Sequence, residues 1–67
     1  MRVEVYEVVA RSAKERGITV SELGRRTDIN HVLLRNSLHG KRGLRADELV
    51  KLSRELGLEM SDFYEAA

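Results

Sequence analysis

The chain has 67 residues, room for one domain spanning residues 1–67 but not for a second, and a chain this short buries only about 60% of the surface its unfolded form exposes. It contains no Cys and no Pro, which excludes a disulfide framework and a thiolate metal site. No apolar run is longer than three residues, so neither a membrane span nor the core of a signal peptide is expected.

Residues 3–16 read as a first helix. Val5, Tyr6, Val9, Ala10 and Ala13 share one face at a 3.6-residue period, while Glu4, Glu7, Arg11, Lys14 and Glu15 lie opposite. Gly17 should stop it. Thr19-Val20-Ser21-Glu22 has the form of a capping box, with Thr19 as cap and Glu22 reaching back to its N–H, and predicts a short helix over 20–27. Asp28 sits where the chain must turn and tolerates the left-handed conformation better than most side chains. Asn30 is a favoured cap for a third helix over 31–38, and Gly40 is its stop.

That third helix has two faces. Wound at about 100° per residue, His31, Val32, Arg35, Asn36 and His39 fall in one sector, and Leu33, Leu34, Ser37 and Leu38 in the other. One side can be buried while the other is free to read a partner. A loop over 40–44 follows, then an amphipathic helix over 46–56. Its inner side is expected to hold Leu49, Val50, Leu52, Ser53 and Leu56, with Glu48 among the outward residues. Gly57 ends it, and a last short helix over 60–66, opened by Glu59 or Ser61, carries Phe63 and Tyr64. No segment alternates with period two, so the fold class is all-α: five helices around one core. That core comprises Val5, Val9, Ala13, Ile18, Leu23, Ile29, Leu34, Leu38, Leu49, Leu52, Leu56 and Phe63.

Charge is unevenly placed. The net charge is +1. Residues 25–45 hold six basic side chains (Arg25, Arg26, Arg35, Lys41, Arg42, Arg45) against the single acid Asp28. The rest of the chain has six basic and ten acidic residues. Such polarity is the electrostatic footprint of a polyanion partner. Enzymatic chemistry has no support: there is no carboxylate cluster, no nucleophile and base set on a pocket, and no glycine-rich phosphate loop. No cofactor is expected. His31 and His39, eight residues apart, are not expected to form a shared metal site.

The pair of capped helices at 20–27 and 31–38, joined by a turn of about three residues, has the helix-turn-helix arrangement, spanning roughly residues 19–38. Gly24 lies where a missing side chain would let the second helix approach the first. Three stretches resemble the lambda-repressor-like (Cro/repressor-type) helix-turn-helix family of bacteria and phages: Thr19-Val20-Ser21-Glu22-Leu23-Gly24, the run from Leu34 to Arg42, and the run from Leu49 to Leu58. The resemblance implies a compact five-helix DNA-binding domain. It also implies a cytoplasmic transcription regulator, typically a repressor, that binds double-stranded DNA. Asn30, His31, Val32, Arg35 and Asn36 are then expected at base edges, where Asn can pair with adenine, Arg with guanine and Val with a thymine methyl. Arg25, Arg26, His39, Lys41, Arg42 and Arg45 are expected near phosphates. Three positions depart from the family's habit: Val20 where a phosphate-clamping Gln is common, Asp28 where Gly is common, and Arg45 where Ser or Thr often caps. A homodimer through Met60, Phe63 and Tyr64, with the first helix and Tyr6 as second choice, would supply a second reading helix. The competing reading is a protein-interaction module, antitoxin-like or an anti-repressor subunit, on the same fold.

Overall fold

A computed structural model describes residues 3–66 and shows four α-helices and a closing 3-10 helix, with no strand among the described residues. The helices are α1 (Val5–Glu15), α2 (Val20–Thr27), α3 (His31–Leu38) and α4 (Ala46–Leu56), followed by the 3-10 helix Met60–Ala66. The expected bounds of α2, α3 and α4 hold. α1 begins two residues late because Glu4 is extended and caps it, its N–H donating to the Glu7 carboxylate at 3.0 Å. The last element is helical as expected but winds as a 3-10 helix.

Each helix end has a local cause. Thr19 caps α2 by accepting from the Glu22 N–H at 3.1 Å, but the expected return bond is absent. The Glu22 carboxylate turns instead to Arg25 and Arg26. α2 ends on Asp28, the one non-glycine residue with positive φ (58°) among those described. The Ile29 N–H then returns to the Gly24 carbonyl at 2.9 Å, and an Asp holds the place glycine usually fills. At the end of α3, Gly40 takes φ 77°, and the Lys41 N–H closes on the Asn36 carbonyl at 2.8 Å.

Val9, Ala13, Leu23, Ile29, Leu34, Leu38, Leu52 and Leu56 form one buried cluster. Ile18, Leu49 and Phe63 are partly buried against it, and Val5 is half-buried. Val8 is also buried, although the helical spacing of α1 placed it off the inner face. The C-terminal 3-10 helix packs on α1 as well, so this helix is covered on a second flank. Three further expectations are corrected. Leu33 is 44% exposed and Val50 52% exposed, each at the margin of its helix's buried stripe. Glu48, expected outside, is buried.

The fit of α2 to α3 is close. A Cβ on Gly24 would lie 2.7 Å from the Ile29 carbonyl oxygen and 3.4 Å from the His31 Cα. Only glycine permits that approach, so α3 is set at a fixed angle across α2. α1 buttresses the other end: the Tyr6 hydroxyl would meet a Cβ on Gly40 at 2.7 Å.

Candidate nucleic-acid interface

α3 is fixed at its start by Asn30, whose side-chain oxygen accepts from the N–H groups of Val32 (2.9 Å) and Leu33 (3.3 Å). Its buried stripe is Leu34, Ser37 and Leu38. That leaves His31, Val32 and Arg35 exposed and Asn36 half-buried, on the side of α3 away from the core. The cap also limits what Asn30 can do. With its oxygen already accepting twice, the amide has only its NH₂ to offer a ligand, whereas Asn36 has no such commitment among the described bonds.

Arg25, Asn30 and His31 meet around a shallow hollow in the crook of the helix-turn-helix, and Asp28 lies in the same hollow. Arg25 pairs with Glu22; Arg26 pairs with Glu22 (3.0 Å) and Glu55 (3.5 Å). These arginines hold the Glu22 carboxyl below its ordinary value, Arg25 most strongly. Arg45 pairs loosely with Asp47 at 3.5 Å. His31, Arg35, His39 and Lys41 are exposed and have no ion pair among the described residues.

Arg42 differs from the other cations of this stretch. Its side chain is 27% exposed, and the guanidinium donates to the Ser37 hydroxyl at 2.9 Å and to both carboxylate oxygens of Glu48 at 3.0 and 3.1 Å. Glu48 also accepts from the Arg45 N–H at 3.0 Å, fastening the start of α4. The Arg42 guanidinium, and then the Arg45 N–H, hold the Glu48 carboxyl below its ordinary value. This cluster ties α3, the 40–45 loop and α4 together. Sequence reasoning missed it, although two signals were available: Ser37 on a buried face, and Glu48 three residues beyond a capping position. Magnitudes separate the cations. An exposed pair contributes about 0–1 kcal/mol, so Arg25 and Arg45 can exchange a carboxylate for a phosphate at little cost. Withdrawing Arg42 would leave a buried carboxylate unpaired, at a cost of several kcal/mol (about 3–5 when burial is complete).

Met60 (78% exposed) and Tyr64 (69%) project from the 3-10 helix, and with Phe63, Leu49 and Val5 they border an apolar surface hollow. No described helix is long and apolar enough to cross a membrane. Neither a search of curated proteins nor a search of solved structures returns a match. The sequence model of one family does match, over residues 10–67, which takes in every element above except the first half of α1. With its helix-turn-helix in place, the chain belongs to the Cro/C1-type helix-turn-helix DNA-binding domain family.

Proposed function

We propose that the chain is a sequence-specific transcription regulator, of the bacterial or phage repressor kind, that lays α3 in the major groove of duplex DNA. The observation that carries this reading is the exposed side of α3, with His31, Val32, Arg35 and Asn36 aligned beside unpaired or loosely paired cations. Arg35 suits guanine O6 and N7, and Asn36 suits adenine bidentately. Asn30 donates through its amide, and His31 faces the groove from the first turn. Lys41, His39, Arg25, Arg26 and Arg45 approach phosphates, while Arg42 holds the loop that presents Lys41.

The described residues span 29 × 24 × 22 Å, less than the about 34 Å between successive major-groove faces of a duplex. A single protomer therefore reads one half-site of about four or five base pairs, too few for selectivity in a genome. We propose a two-fold dimer through Met60, Phe63 and Tyr64, which demands an operator with inverted symmetry. Selection of bound sequences from random duplex DNA tests both parts. Inverted half-sites one turn apart, with sedimentation as two protomers per duplex, is the expected result. Enrichment of no sequence at all would overturn the reading and favour a protein partner.

A further inference from the structure

The first turn of α3 carries two large apolar side chains that the fold leaves about half exposed. Val32 is 51% exposed and Leu33 is 44% exposed. Neither belongs to the buried core cluster or to the partly buried side chains packed against it, although side chains of this size gain from burial wherever a neighbour can cover them. Their placement is nonetheless firm, because Asn30 holds both of their N–H groups. Arg35 lies one turn beyond Val32 and Asn36 one turn beyond Leu33, so each apolar side chain adjoins a group that can hydrogen-bond a base edge. The surroundings are cationic: residues 25–45 hold six basic side chains against Asp28. A charge pattern of this kind complements a polyanion. Within a polyanionic duplex, the apolar feature of the major-groove edge is the 5-methyl group of thymine.

We propose that Leu33, together with Val32, reads pyrimidine 5-methyl groups in the major groove, so that each half-site carries thymine opposite the first turn of α3. Leu33 lies outside the base-contacting set expected from sequence, and the assignment rests on α3 being the reading helix. 5-Methylcytosine presents the same methyl group and substitutes for thymine at the methyl-reading contact, whereas cytosine does not.

The test uses the full chain and a duplex obtained by selection from random DNA. Each thymine is replaced in turn by deoxyuridine, which removes the methyl and leaves every hydrogen-bonding group in place. At one or two positions per half-site the dissociation constant rises about fourfold, the equilibrium equivalent of one buried methyl group; elsewhere it does not change. The variants Leu33→Ala and Val32→Ala each erase the thymine–deoxyuridine difference at one position, while their melting temperatures stay close to the parent's because both side chains are half exposed. Equal binding of every deoxyuridine duplex by the unaltered chain overturns the proposal and leaves DNA reading by α3 intact. Absence of any duplex binding overturns the reading of α3 itself, and the methyl assignment with it.

Discussion

Replacing Glu48 by Gln tests the cluster that joins α3 to α4. The carboxylate accepts three hydrogen bonds, two from the Arg42 guanidinium (3.0 and 3.1 Å) and one from the Arg45 N–H (3.0 Å), with side-chain exposures of 12% for Glu48 and 27% for Arg42. Breaking a fully buried pair costs about 3–5 kcal/mol and breaking an exposed one about 0–1 kcal/mol. This pair lies nearer the buried limit, and the amide retains one acceptor, so the expected loss is about 2–3 kcal/mol. In a domain of this size that lowers the melting temperature by about 10–20 °C. Urea denaturation is the appropriate assay, being uncharged and therefore not screening the pair. Arg42→Met should cost at least as much, because it leaves the Glu48 charge without its partner. The double variant should cost clearly less than the two single losses added together, with a coupling energy above about 1 kcal/mol. Additive losses, within about 0.5 kcal/mol, would refute the inference that Arg42 and Glu48 act as a unit.

The same pair sets a pH dependence. The Glu48 carboxyl is depressed below its ordinary 4.5 in the folded chain, so its contribution is fully present above that pH and is lost as pH falls below it; unfolding free energy measured from pH 6 to 3 should drop less in Glu48→Gln than in the parent. Leu34→Ala should cost about 2–5 kcal/mol in denaturant melts, since Leu34 is fully buried, against well under 1 kcal/mol for the half-exposed Leu33→Ala. Asp28→Gly should raise stability by up to about 1 kcal/mol by relieving the positive φ of 58°. Asp28→Asn should tighten DNA binding at low salt and converge with the parent at high salt, because it removes an anion from the hollow shared with Arg25 and Asn30.

Local rules made the fold legible. Periodicity located all five helices, Asn30 and Thr19 named their caps, and Gly24 marked the close approach of α2 and α3. What a single helical wheel cannot show is which stripe margins a neighbouring element covers. The wheel omits Val8 because the 3-10 helix closes a second flank of α1, and it places Leu33 and Val50 inward although no described element fully covers their margins. The charge of Glu48 points it outward in the sequence; its partner Arg42 stands in a loop, where no periodicity signals direction. Within the candidate site the cap role of Asn30 was readable, but its consequence, an amide with only donors left, follows from the bonds to Val32 and Leu33.

The salt dependence of duplex binding tests DNA recognition through the 25–45 segment most directly. With the proposed phosphate contacts from Lys41, His39, Arg25, Arg26 and Arg45, the logarithm of affinity should fall linearly with the logarithm of salt concentration, with a slope of about −3 to −5 per protomer. Lys41→Ala should flatten that slope by about 1 on every duplex tested. A flat response in the unaltered chain would contradict DNA binding through this surface.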